Sequence, residues 1–159
     1  TLERTNKYSI TGSIPTEIGL LTNLETLILN NNELTGTIPS EIGSLTRLTY
    51  LNFGINALTG TIPRELGLLT GLTSLILDAN ALTGTIPSEL GSLTGLIELA
   101  FNDNSISGRI PIEIFNLTFI EKLSLYNTNI DRDSVPNSFF SVVVEPCIIC
   151  NGEGSYDYV

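Results

Sequence analysis

The stretch N-L-E-T-L-I-L-N-N-N-E-L-T-G-T-I-P-S-E-I-G-S-L-T, from Asn23 to Thr46, decides the fold of this chain, because it recurs. Leu27, Leu51, Leu75, Leu99 and Leu123 stand 24 residues apart. So do Asn32, Asn56, Asn80 and Asn104, and so do Pro15, Pro39, Pro63, Pro87 and Pro111. A fixed period of this length predicts a solenoid: one repeat alone has too little apolar surface to fold, and buries it by stacking on its neighbours. Copies run outward from this stretch to about residue 10 and about residue 130 of 159, so the chain forms one elongated domain. Roughly six to seven rungs at about 5 Å each give a body on the order of 30 Å long.

Within the unit, L-x-x-L-x-L-x-x-N alternates around Leu27 and Leu29 as a strand does, which predicts a parallel sheet along one face. The Asn that follows stands where the chain turns inward. Turn peptides lack regular partners, so its amide is expected to bond backbone groups of its own rung and of the next. Leu34, Gly36 and Ile38 have inward parity and Thr35 and Thr37 outward parity, a second short strand. Pro39 to Leu45 reads as a short helical turn, with Pro suited to the first helical position, Glu41 to the first turn, and Ile42 and Leu45 facing inward. The fold class is an α/β repeat solenoid: a parallel sheet on the concave face, a second short strand per repeat, and short helical turns on the convex face.

The charge is −10, from 17 acidic and 7 basic residues, and there is no Lys/Arg run. That argues against nucleic acid and anionic membrane surfaces as partners. The apolar run from Phe139 to Val144 is too short to span a bilayer, and no signal peptide is visible in this stretch, which says little because the sequence opens in mid-repeat. The chain opens in mid-repeat, so the expectation is that a cap lies further upstream. No His is present, so neither a Ser-His-Asp triad nor a Cys-His pair can be built, and two Cys cannot complete a four-ligand zinc site. No phosphate loop is present, and an enzyme is the least supported class; neither cofactor nor metal is expected. Glu17, Glu41, Glu65, Glu89 and Glu113 form a column at rung spacing, which resembles that of a glycosidase carboxylate pair. They lie on a convex face without a cleft, and Glu in a first helical turn is explained by the helix dipole.

The pattern L-x-x-L-x-L-x-x-N-x-L-T-G-x-I-P-x-x-[IL]-G-x-L resembles the plant-type leucine-rich repeat, and T-G-T-I-P-S-E-[IL]-G-S-L-T is similar to repeats of algal, diatom-like proteins. The resemblance implies a weakly curved, twisted superhelix, usually extracellular or at the cell surface. It serves that family as receptor-kinase ectodomains, inhibitors of cell-wall hydrolases and occasionally ice-binding proteins. Residues 1–142 are expected to form the repeat solenoid, with a truncated first rung and a degenerate last one in which Thr128 replaces the ladder Asn; residues 143–159 are expected to form a C-terminal capping segment and acidic tail. Extracellular members commonly cap this end with disulfides, which makes Cys147 and Cys150 disulfide candidates, mutual or with a segment elsewhere. Free thiols and a redox or metal role stay open, since their spacing is narrower than in plant caps. Asn116-Leu117-Thr118 is the one N-x-[ST] sequon, a glycosylation candidate in an exposed column.

Two surfaces carry the functional expectations. The concave sheet is the usual ligand face of this architecture. Its outward positions Tyr50, Asn52, Asp78, Glu98, Asn102, Asp103, Lys122 and Tyr126 are the candidate binding residues for a protein, peptide or glycan, with charge gathered toward the C-terminal rungs. The alternative surface holds Thr35, Thr59 and Thr83 in one expected column and Thr37, Thr61 and Thr85 in another, a Thr-x-Thr array of the kind that orders water in unrelated ice-binding proteins. A third reading is a structural accessory subunit or wall component without a small ligand. The preferred reading is a secreted or cell-surface recognition module acting through the concave face.

Overall fold

A computed structural model of the chain describes residues 9–131. Each rung contributes a strand to a concave parallel sheet, a second strand and a 3-10 turn. The concave strands are β2 (Thr26–Ile28), β4 (Tyr50–Asn52), β6 (Ser74–Ile76), β8 (Glu98–Ala100) and β10 (Lys122–Ser124), and they stack in chain order. Their register follows the repeat, so that Leu27, Leu51, Leu75, Leu99 and Leu123 are direct neighbours. The second strands are β1 (Thr11–Ser13), β3 (Glu33–Thr37), β5 (Ala57–Thr61) and β7 (Ala81–Thr83) in one sheet, with β9 (Ser107–Gly108) and β11 (Asn129–Ile130) in another. The expected repeat solenoid is therefore present over the described residues. The boundary at 142, the capping segment 143–159, and Cys147 and Cys150 lie outside them.

The convex side is made of five 3-10 turns, η1 (Thr16–Leu20), η2 (Ser40–Ser44), η3 (Arg64–Leu68), η4 (Ser88–Ser92) and η5 (Ile112–Asn116). Proline stands one residue earlier than expected. Pro39 is extended (φ −71°, ψ 140°) and caps the turn, its carbonyl accepting the Ile42 N–H at 3.2 Å. Proline also keeps Ile38 before it extended, and with Pro39 itself extended the turn starts at Ser40. Adjacent turns lie close: a Cβ on Gly43 would stand 2.6 Å from the Glu65 carbonyl oxygen. The recurrent glycine and glutamate thus meet backbone to backbone, which gives the Glu column a packing explanation.

Leu and Ile from all three segments of each rung fill the interior. In the rung from Leu72 to Leu93, Leu72, Leu75, Leu77, Leu82, Leu90 and Leu93 are fully buried, and Phe53 and Phe101 occupy the position of Leu77 in neighbouring rungs. Complete burial of such a side chain contributes about 1.5–3 kcal/mol.

The asparagines form the ladder, with one difference from expectation: they bond to the preceding rung, not the next. Asn80 Nδ2 donates to the Leu77 and Asp78 carbonyls of its own rung (3.2 and 3.0 Å) and to the Phe53 carbonyl of the rung before (3.0 Å). Its Oδ1 accepts the Leu58 N–H at 3.0 Å. Asn56 and Asn104 repeat this set. The direction follows from the chain path. The turn after each Asn carries it across the level of the rung already laid down, whose second strand presents the unpaired N–H. Thr128, shorter and with one donor, keeps the contact to the Leu125 carbonyl (2.6 Å) within its own rung.

Asn80→Ala removes three bonds to carbonyls that each keep one other donor and leaves the Leu58 N–H without its Oδ1 acceptor, whereas Thr73→Ala loses one side-chain bond to the Thr49 carbonyl. The Asn80 variant is expected to lose about 1–3 kcal/mol more in urea unfolding. Equal midpoints and slopes would remove the ladder from the account of stability.

Candidate functional site

The in-register concave strands set Tyr50, Ser74, Glu98 and Lys122 side by side. Glu98 is held from both sides: Lys122 Nζ lies 2.7 Å from Oε1, and Ser74 Oγ donates to Oε2 at 3.0 Å. Ser74 is buried. Just past the strands, Asn102 Nδ2 donates to Asp103 Oδ2 at 2.7 Å and Asn127 Nδ2 to Asp103 Oδ1 at 2.8 Å. Both carboxylate oxygens of Asp103 are thereby fixed.

Asp103 belongs to a column in the left-handed backbone region, with Asn31, Ile55, Ala79 and Asn127 at φ between 49° and 57°. Asn and Asp adopt this conformation readily, while a β-branched residue does not. Ile55 is therefore strained, and it is also 52% exposed.

Asp78 holds its proton more tightly than a free carboxyl does. Its pKa is raised, chiefly by burial. A hydrogen bond from its own backbone N–H works against the rise, repulsion from Asp103 and Glu98 adds to it, and Lys122 offsets part of that repulsion. The carboxylate lies down on Gly54, where any Cβ would collide with Asp78 Oδ1. Asn52 Oδ1 accepts the Gly54 N–H at 3.0 Å and so shapes the same spot from the other side.

Asp78, Glu98, Asp103 and Lys122 thus form one electrostatically connected group, as the sequence pattern places them. Asn102 joins it as a positioning residue: it is only 5% exposed and holds Asp103. Tyr126 stands half-buried at the C-terminal end of the group, one rung on from Asn102. Tyr50 and Asn52 lie on β4, two strands away from Glu98 in the sheet, beside the exposed Ile28 and Ile55. Ser74 and Asn127 were not among the candidates read from sequence. The 24-residue step from each to Glu98 and Asp103 is the signal that identifies them. The chemistry of this face is that of hydrogen-bond acceptors with one ammonium, suited to basic and amide groups of a partner. Among the described residues no group of His, Cys, Asp and Glu is arranged to hold a metal ion.

The threonine surface differs in register from the columns expected. Its strands pair 22 residues apart, Thr35 with Ala57, Thr37 with Thr59, and Thr61 with Thr83. Equivalent threonines are therefore staggered by two residues per rung. The side-by-side neighbours are Thr37 with Thr59 and Thr61 with Thr83, and not Thr35 with Thr59 or Thr37 with Thr61. The cause is the close packing of the glycine. Gly60 (φ 77°) has no room for a Cβ, because the Thr37 methyl would be 2.8 Å away, and Gly84 repeats this with Thr61. The other threonines use their hydroxyls, Thr59 Oγ1 donating to the Gly36 carbonyl and Thr83 Oγ1 to the Gly60 carbonyl, both at 3.2 Å. Thr35, Thr37, Thr59, Thr61, Thr83 and Thr85 are all exposed. A shallow depression of about 380 Å³ lined by Leu20–Leu24 shares no residue with either surface. Among the described residues no helix is long and apolar enough to cross a membrane.

The raised pKa of Asp78 has a defined consequence for stability. The folded state holds the Asp78 proton more tightly than the unfolded chain does, so this contribution is present below the unfolded pKa and is lost as pH rises through the folded one. Asp78→Asn removes the charge and keeps the shape. Its melting temperature relative to wild type is expected to be higher at pH 7 than at pH 3, and a difference independent of pH would show that the carboxylate is not strained by its surroundings.

A leucine-rich-repeat family model matches residues 22–82. No curated protein matches the sequence. Among solved structures, the plant peptide hormone receptor RGFR1 in complex with RGF2 is 43% identical with a TM-score of 0.76, covering 77% of this chain and 20% of its own. The ectodomain of the receptor kinase SOBIR1 from Arabidopsis thaliana is 30% identical with a TM-score of 0.73, over 82% of this chain and 70% of its own. A plant ice-binding protein is 31% identical with a TM-score of 0.69, over 76% of this chain and 39% of its own. This chain thus spans about a fifth of the peptide hormone receptor.

Proposed function

Because the chain belongs to the plant-type leucine-rich-repeat family, we propose that it is a non-enzymatic recognition module, extracellular or at the cell surface, that binds a peptide or protein through its concave sheet. The observation that carries this reading is the acidic group of Glu98, held by Ser74 and Lys122, and Asp103, held by Asn102 and Asn127, with Asp78 in the same electrostatic field. A preorganised acceptor surface loses little side-chain entropy on binding. Its charge selects basic segments, and the half-buried Tyr126 at its end offers an aromatic anchor. The likeness to a receptor solved in complex with RGF2 supports a peptide as the partner.

An array of immobilised synthetic peptides, one set basic and one acidic, tests this. The chain is expected to retain on basic members and to weaken about tenfold or more when Asp103→Asn is combined with Tyr126→Ala, a loss of about 1.4 kcal/mol or more. Asp103→Asn preserves the left-handed backbone, and an unchanged melting temperature of the double variant shows that the loss is one of binding and not of folding. Equal retention on both sets, or retention unaffected by the variants, overturns the reading.

A second reading is favoured by the likeness to a plant ice-binding protein together with the exposed threonines. Strand geometry sets the pairs Thr37–Thr59 and Thr61–Thr83 at about 4.8 Å across the strands, with about 6.7 Å between alternate threonines along a strand. Ordered water is the natural ligand of such a lattice of hydroxyls and methyls. Ice grown with the protein is then expected to be faceted and slow to recrystallise, and Thr35→Tyr, which breaks the plane, is expected to abolish both effects. Unshaped ice with wild-type protein removes this reading.

A further inference from the structure

We propose that Asn116 is an N-glycosylation site whose glycan stands on the convex side, clear of the concave sheet. The sequon Asn116-Leu117-Thr118 is the one such motif in the chain. The structure supplies what the motif alone lacks. Asn116 is the last residue of η5 and is exposed, Leu117 is buried and anchors the chain, and Thr118 is exposed again. Both side chains that the transferase must read therefore face solvent, and the residue between them carries no demand of its own. The equivalent positions Leu20, Ser44, Leu68 and Ser92 are exposed as well. Five rungs thus agree that this column points away from the core, and a glycan costs the fold no contact.

The surroundings suit a carbohydrate. Ile112 is 75% exposed and Phe119 is 67% exposed, so this end of the convex side carries uncovered apolar surface on both flanks of the sequon. The proximal sugar has an apolar C–H face and a polar rim, and adds solubility where large apolar side chains are bare. The other ladder and sheet asparagines have no Ser or Thr two residues on. Those on the ligand face are thereby kept free of glycan, as a concave binding surface requires.

The reaction needs a lipid-diphosphate-linked oligosaccharide as donor. The Asn116 amide nitrogen forms a bond to C1 of the reducing-end sugar, the C1–oxygen bond to the diphosphate breaks, the amide loses one proton to the transferase, and the lipid diphosphate leaves. The inference rests on passage through the secretory route and is independent of what the concave sheet binds.

The full chain is expressed in a eukaryotic cell line behind a cleavable secretory leader and collected from the medium, so that every molecule measured has met the transferase. Intact mass is expected to exceed the polypeptide mass by one oligosaccharide. Peptide N-glycosidase treatment is expected to remove it and leave Asp at 116, about one dalton heavier than Asn. Asn116→Gln and Thr118→Ala are expected to be secreted at polypeptide mass, and Thr118→Ser to retain glycan. Secreted wild-type protein at polypeptide mass, or glycan that persists in Asn116→Gln, overturns the proposal.

Discussion

Each ladder asparagine binds two rungs at once, and the solenoid depends on that bond. The sharp turn after the concave strand brings several carbonyls together, where the ladder amide can donate to them. Asn56, Asn80 and Asn104 each gather three of these with Nδ2 and return Oδ1 to an N–H of the rung before. A buried polar group left without a partner costs about 1–3 kcal/mol, so no apolar residue can stand there cheaply. The leucines supply most of the driving force, yet they are indifferent to register. The amide is directional, and it fixes how far each rung advances on the last.

The same rung geometry creates the two display surfaces. On the concave side, neighbours in register bring residues 24 apart into contact, so Glu98 meets Lys122 and Asp103 meets Asn127. A partner would therefore meet a surface already arranged. On the other sheet, the chain slides by two residues per rung to let a threonine methyl cover the next glycine. The threonines there are exposed and regular, but they also have structural tasks. Recognition on one face, a water-ordering surface on the other and a glycan on the convex side are compatible, because they use different sides of the same rung.

The repeat made the larger part of this legible without coordinates. Period gave the solenoid, parity gave the two strands per rung, and the 24-residue step placed Asp78, Glu98, Asp103 and Lys122 on one face. These follow from local rules: side chains alternate along a strand, and equal positions in a stacked array become neighbours. Ser74 and Asn127 were within reach of the same rule.

Three features were decided by tertiary contact. The ladder bonds run to the preceding rung because that is where the chain path leaves an unpaired N–H. The register of 22 in the second sheet comes from glycine and threonine packing across rungs, which no single repeat contains. Asn102 shares the outward parity of its neighbours and is nevertheless buried, with its amide donating to Asp103. The sequence by itself determined which residues recur, and hence the architecture and the faces. Only the stacked structure decided how one rung sits on the next, because that offset is set by contacts between residues some 22 to 27 positions apart.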